Sequence, residues 1–355
     1  MVSKHEMNTR SSAPRPAPQT CFTCKRLNPS TFLIIEADKY GELPFIYAKI
    51  YTSPPLLVLS DVGCGTTSCA TSVAQTSLRQ YLESYPTPSN DGQPLNAQKA
   101  PYLIICTHCH YDHIGGIEQF TVDPSTSIVA SFDGKDFVEN DLPTHSLCRF
   151  LGIPTPQYMV SHWAHDRESL HHPADADEPL RLQILSTPGH TPDELAWYDG
   201  QERWLFVGDT FYERFNADLK AEIPIIFPKE GNWVEVMASL EKMLDFVRHR
   251  NAEPGKDRVR IGCGHITSDV DGEEILLAVK GFFWDVVHGK VPVTETKEMR
   301  GEPVDLWKEN GHPRFSVRAP RRLVDEARRH FKVGSDREAG LAVVSSNDSL
   351  KARML

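Results

Sequence analysis

Residues 107–116 read THCHYDHIGG, so His108, His110, Asp112 and His113 fall within six positions, directly after the apolar run Tyr102–Cys106. Such a run reads as a buried strand, and on extended backbone residues two apart project to the same side, so His108 and His110 can share one ion. A turn into helix would carry Asp112 and His113 round to a neighbouring volume where a second ion fits. Two ions need more than four ligands. Candidates are His190 in LQILSTPGHT, Asp209 in WLFVGDTF and His265 in VRIGCGHIT, each after a strand-like apolar run broken by glycine. Four strand-end sites in one chain point to one pocket at the edge of a sheet. Two divalent ions about 3.5–4 Å apart can share a water, lower its pKa towards neutrality and polarise a carbonyl, so no protein nucleophile is needed. Nitrogen and oxygen donors dominated by histidine suit zinc, and iron or manganese accept the same donors. Asp112 is a candidate acceptor for the proton released in that attack.

The elements that must position these residues follow from apolar periodicity. Thr31–Glu36, Phe45–Tyr51 and Leu56–Leu59 read as strands of a meander, rich in β-branched and aromatic residues. A helix is predicted over Ala74–Tyr85. Further strands are predicted at Ser127–Ser131, Leu180–Leu185, Leu195–Tyr198, Trp204–Val207 and Val259–Ile261, and helices at about Trp233 to Arg250 and from Glu273 to about His288. Residues 1–28, rich in Pro, Ser and Thr, read as a flexible leader holding the Cys21–Cys24 CxxC, for which a second ligand pair is not evident. Residues 29–290 read as the catalytic domain. Residues 291–355 read as a C-terminal extension with one helix, Arg321–Lys332, packing on the domain or fraying, with a basic partner-binding arm the alternative.

Composition narrows the function classes. The chain of 355 residues carries 38 Lys and Arg against 48 Asp and Glu, a formal charge of −10. That balance opposes the counterion-release attraction that drives nucleic-acid binding, and anionic membranes are disfavoured for the same reason. Residues 290–355 hold 14 basic and 10 acidic side chains (+4), so residues 1–289 carry −10 − 4 = −14. No apolar run approaches the roughly 18 residues of a membrane span, and the N-terminus lacks the apolar stretch of a secretory signal. Eight dilute cysteines are expected to stay reduced. A cytoplasmic protein acting on a small molecule is expected; oligomeric state is left open.

The ordered set HxHxDH, GHT, GDT and GH, spanning Asp61 to His265, resembles the metallo-β-lactamase superfamily in the ligand style of glyoxalase II and lactonases. The resemblance implies an α/β (α+β) fold, an αββα sandwich of two mixed sheets with helices outside. It implies His108, His110 and His190 on one metal, Asp112, His113 and His265 on the other, and Asp209 bridging them as a catalytic residue, with two Zn2+ per chain. Asp61, in SDVGCG, matches the early strand-end Asp that supports the ligands from behind. GHTPDEL departs from many relatives by placing Asp193 and Glu194 beside the metals, as turn caps or as an influence on substrate charge. Tyr158 and Trp163 are candidates for a pocket wall, with an exposed connecting loop the equal alternative. Tyr212 is a candidate oxyanion donor or a packed aromatic, and Cys106 and Cys109 read as packing residues. The leading expectation is a dinuclear zinc hydrolase working through a metal-bridging hydroxide on a lactam, lactone or other ester or amide. A faint resemblance to fungal superfamily members of xenobiotic and lactam breakdown leans it towards cyclic amides. A thioesterase is the nearest alternative. A mononuclear iron sulfur dioxygenase is the alternative of another class, disfavoured by seven ligands.

Overall fold

The computed structural model describes residues 19–65 and 77–333. Seven strands form the first sheet in chain order: β1 (Phe22–Arg26), β2 (Thr31–Glu36), β3 (Phe45–Thr52), β4 (Pro55–Ser60), β5 (Tyr102–Ile105), β6 (Ser127–Ser131) and β7 (His162–Ala164). β1 to β4 are antiparallel, and β4 to β7 run parallel. The predicted strands are therefore present. β1 lies inside the stretch read as leader: Phe22 is buried, and its ring packs 5.1 Å from that of Tyr81. The CxxC accordingly flanks and enters a strand, with Cys24 accepting a hydrogen bond from Ser89 Oγ at 3.4 Å.

Next come β8 (Ser169–His172), β9 (Asp175–Ser186), β10 (Leu195–Asp199) and β11 (Trp204–Phe206). A short hairpin follows, β12 (Phe215–Asn216) and β13 (Ala221–Glu222), and then β14 (Ile225–Ile226). With β15 (Arg260–Gly262) and β16 (Ser268–Asp271), the second sheet has the order β16-β15-β11-β10-β9-β8.

Strand alternation explains the layers. Leu56 and Val58 of β4 point into the space between the sheets, where they meet Leu182, Ile184, Trp197 and Phe206, while Leu57 and Leu59 point outward to Leu78, Tyr81 and Leu82 of the helix Leu78–Ser84. The predicted start of that helix, residues 74–76, falls outside the described residues. On the far side, helices Trp233–Asn251, Gly272–Val287 and Arg321–His330 cover the second sheet. Asn232 and Asp271 cap the first two, each side chain accepting from backbone N–H groups of the opening turn. The result is the αββα sandwich. Lys49 and Asp199 bridge its sheets as a fully buried ion pair at 2.7 Å.

Beyond residue 290 the structure holds more than the expected single helix. β17 (Val293–Met299), β18 (Glu302–Lys308) and β19 (Ser316–Pro320) join β14 in a four-stranded sheet, order β14-β19-β18-β17. Trp307, Val317, Ala319, Leu323 and Val324 belong to the same apolar core as the long helices, so this part of the extension packs on the catalytic domain. Among the described residues no helix is long and apolar enough to cross a membrane.

Candidate metal centre

β4 and β5 are parallel, as are β11 and β15, and β9 is antiparallel to β10, which is antiparallel to β11. The C-terminal ends of β9, β11 and β15 therefore share one edge of their sheet, and those of β4 and β5 share one edge of theirs. Backbone bonds join the two edges: Leu195 N donates to Thr107 O at 2.8 Å and Phe45 N to Gly264 O at 2.8 Å. Asp61, the HxHxDH segment, His190, Asp209 and His265 follow β4, β5, β9, β11 and β15. All seven expected ligands are buried and sit in two groups, His108, His110 and His190 in one, and Asp112, His113, Asp209 and His265 in the other; within each, the donor atoms lie within 4.8 Å of one another.

In the first group His110 Nδ1 is 2.9 Å from His108 Nε2 and 3.1 Å from His190 Nε2. The outward nitrogens fix the tautomers. His190 Nδ1–H donates to Ile226 O at 2.8 Å, which leaves a lone pair on Nε2. Thr107 Oγ1 donates to Asp61 Oδ2 at 2.8 Å and so can accept from His108 Nδ1–H at 3.2 Å, with the same result. His110 can donate to only one of these lone pairs, so a repulsive pairing remains that a cation would relieve. Burial, with the neighbouring imidazoles, holds His108 well below the usual histidine value, and burial first holds His110 at about 3 and His190 at about 4.

The second group carries charge. Tyr111–Ile114 is a single helical turn that brings Asp112 and His113 round, as the sequence suggested. His113 Nε2 lies 3.5 Å from both Asp112 Oδ2 and Asp209 Oδ1, and His265 Nε2 lies 3.1 Å from Asp112 Oδ2 and 3.4 Å from Asp209 Oδ2. Asp61 accepts from His113 Nδ1 at 2.9 Å and from Thr107 N at 2.8 Å, and Glu42 O accepts from His265 Nδ1 at 2.9 Å, so both rings aim Nε2 inward. Burial works against protonation of these two rings. Asp112, Asp209 and Asp61 nevertheless raise His113 well above its usual value, and Asp209 and Asp112 raise His265 to about 10. Against the same cost of burial, the imidazoliums hold Asp112 and Asp209 well below the carboxylate range. His113 Nε2 and Asp209 Oδ1 are buried with no hydrogen-bond partner, as expected of atoms shaped to face a metal. Gly264 makes the approach feasible, since a Cβ there would lie 2.2 Å from Asp209 Oδ1.

The profile of the metallo-β-lactamase superfamily matches residues 97–262. A protein of Aspergillus versicolor named "Putative transcription factor avaE" is 32% identical over 77% of this chain and 78% of its own length. The chain belongs to the metallo-β-lactamase superfamily. A hydroxyacylglutathione hydrolase of Legionella pneumophila (strain Corby) is 29% identical over 31% of this chain, and the match spans a third of that enzyme (33%). A metallo-beta-lactamase family protein of Thermus thermophilus shares the fold, with a TM-score of 0.51 and 17% identity over 77% of this chain and 85% of that one.

In this superfamily member the two donor groups are candidate sites for divalent metals, at the floor of a cavity of about 160 Å3. Asp61 stands behind the ligands as the resemblance implied. Asp209 lies in the second group, and its charge also acts on His110 and His190. Glu194 is a positioning residue: its Oε1 accepts from Asp209 N at 2.7 Å and from Thr210 Oγ1 at 3.2 Å. Asp193 is buried behind the HxHxDH segment, against Cys109 and Gly134, with its carboxyl raised to about 6 by burial. Cys106 and Cys109 are packed in the core. Tyr212 lines the cavity, but its hydroxyl donates to Pro224 O at 3.1 Å, the packed-aromatic outcome. Tyr158 and Trp163 pack on the outer face of the first sheet and do not line this cavity. Sequence reasoning missed Thr107 and Glu42. A hydroxyl beside the HxH was a usable signal for the first, whereas nothing near Glu42 marks a partner 223 positions away.

Proposed function

We propose that this protein is a dinuclear metal-dependent hydrolase that cleaves an acyl C–N or C–O bond in a small molecule, with a lactam or lactone the favoured substrate. The observation that carries this reading is the inward aim of seven buried donors beside a cavity with an apolar wall. His108, His110 and His190 would hold one ion and Asp112, His113 and His265 the other, with Asp209 shared; zinc suits these donors. Bound divalent ions supply Lewis acidity and a water acidified towards neutrality. Asp61, Thr107 and the carbonyls of Glu42 and Ile226 keep the Nε2 atoms of His108, His113, His190 and His265 aimed inward, where they would meet the metals. Asp112 would be the group that takes the proton the attacking water loses. Ile223, Phe227 and Val304 shield the reacting bond from bulk solvent. We place this activity in the cytoplasm, on a small-molecule substrate. A thioester is the second reading, favoured by the similarity to hydroxyacylglutathione hydrolase. The test is metal content per chain together with turnover of lactones, lactams and thioesters. Two zinc with hydrolysis supports the proposal; one iron with oxygen consumption overturns it.

A further inference from the structure

β18 and β19 show two different faces. Trp307 lies opposite Val317 and both enter the helical core, as does Ala319. The alternate positions, Glu302 and Val304 on β18 and Arg318 and Pro320 on β19, line the cavity over the metal centre. This wall has a polar end near the metals, because Arg318 lies beside Ile226, whose carbonyl holds His190. Its middle is apolar.

Three cations line the cavity, and two remain available. Arg300 is held by both carboxylate oxygens of Glu230, and its guanidinium lies 4.1 Å over the Phe150 ring. Arg318 gives Nη2 to Glu295, but its Nη1 is buried with no partner. Lys229 is exposed and makes no ion pair among the described residues. A buried guanidinium edge without an acceptor is costly, and a carboxylate is the group whose geometry matches it. At the other end of the wall Glu302 Oε2 accepts from Arg322 Nε at 2.8 Å, and its buried Oε1 has no partner. It lies four residues along from the position opposite Arg318, about 13 Å away on extended backbone.

Resting on the hydrolase reading, we infer that the substrate is an acidic amphiphile. Its carboxylate is taken by Arg318, with Lys229, at the metal end of the wall, its scissile acyl group lies a few bonds from that carboxylate and faces the metals, and its apolar body runs on along Val304 and Pro320. The C-terminal sheet is thus the specificity-determining wall.

The probes are the mono-p-nitroanilides of succinate, glutarate and adipate, each paired with the p-nitroanilide of the unbranched monocarboxylic acid of equal length. Binding to the zinc-loaded full chain is read by calorimetry and cleavage by nitroaniline release. At least one acid is expected to bind about tenfold or more tightly than its neutral pair, and Arg318→Met is expected to bring that acid-to-neutral ratio, measured within the variant, to about one. Lys229→Met, at an exposed position, is expected to cut the preference about twofold to threefold and to flatten its salt dependence. If Arg318→Met does not fold, Arg318→Lys serves: the charge stays, the fork is lost, and the preference falls several-fold. Equal binding within every pair, or an acid preference untouched by the Arg318 and Lys229 variants, overturns the inference. Arg318-dependent acid binding by a protein that holds one iron and consumes oxygen overturns the hydrolase reading and leaves the subsite standing.

Discussion

His108, His110 and His190 form a trio without a carboxylate, while a few ångströms away Asp112 and Asp209 face His113 and His265. Burial acts on both groups, with opposite outcomes. In the trio desolvation outweighs the more distant pull of Asp209, so the rings stay neutral, with their nitrogens free at ordinary pH. In the quartet the carboxylates overcome desolvation, and the rings hold protons that balance two negative charges. The same residue type, equally buried, is thus tuned to two states by what stands across from it. The trio is ready to accept a cation; the quartet must exchange protons for one.

The severest break is Asp209→Ala, which removes a carboxylate acting on both groups. Hydrolysis should fall about a thousandfold or more, the scale of losing a preorganised charge at the reacting centre. Circular dichroism should show the fold retained, and metal analysis should show the quartet's ion depleted; full turnover with two metals bound would refute the assignment.

A zinc titration against a competing chelator from pH 6 to 8 sharpens the contrast. His110 at about 3 and His190 at about 4 are already deprotonated, so affinity for the first ion should stay flat. His265 at about 10 must lose a proton, so affinity for the second ion should climb about tenfold per pH unit for each proton displaced. Parallel slopes at both sites would end the distinction. Linkage gives the matching stability signs for metal-free protein. The depressed trio makes stability fall as pH drops below about 6.5, because the unfolded chain takes up protons the folded one refuses. Raised His265 adds stability that is complete below about 6.5 and is lost as pH rises through about 10, and raised His113 acts in the same direction.

Asp61→Ala should weaken the second ion by about 10–100-fold and the first by less, since Asp61 touches His113 directly but reaches His108 only through Thr107. Equal losses at both sites, measured by the same titration, would count against that ordering. Smallest is Glu194→Ala, which releases the backbone N–H of Asp209 without touching a donor atom. A drop in turnover of about tenfold is expected, restored in large part by Glu194→Gln, which keeps an acceptor oxygen.

How much of this was legible differs from residue to residue. The ligand types and spacings were visible because each ligand sits just past a strand end, where apolar periodicity and glycine mark the exit. The central strands were visible because both faces are buried, so their sequences are continuous apolar runs. β17 and β18 were not, because VTETKEM and EPVDLWK are interrupted by charged side chains, one of them Asp305 buried against Arg321, and read as surface. Tyr158 and Trp163 looked like a pocket wall by composition alone, and composition does not say which face of a sheet a loop packs on. Glu194 looked like a turn cap because Asp209, its partner, is remote in sequence.

The sequence by itself determined the donors, their order along the chain and the superfamily, because ligand chemistry depends on residue type and on spacing within a few positions. Only the tertiary structure decided which imidazoles stay neutral, which carboxylates stand behind them and which segment closes the cavity. Those depend on distances between residues tens to hundreds of positions apart, such as His265 and Glu42 or Arg318 and Ile226, and chain folding sets those distances where local pattern does not.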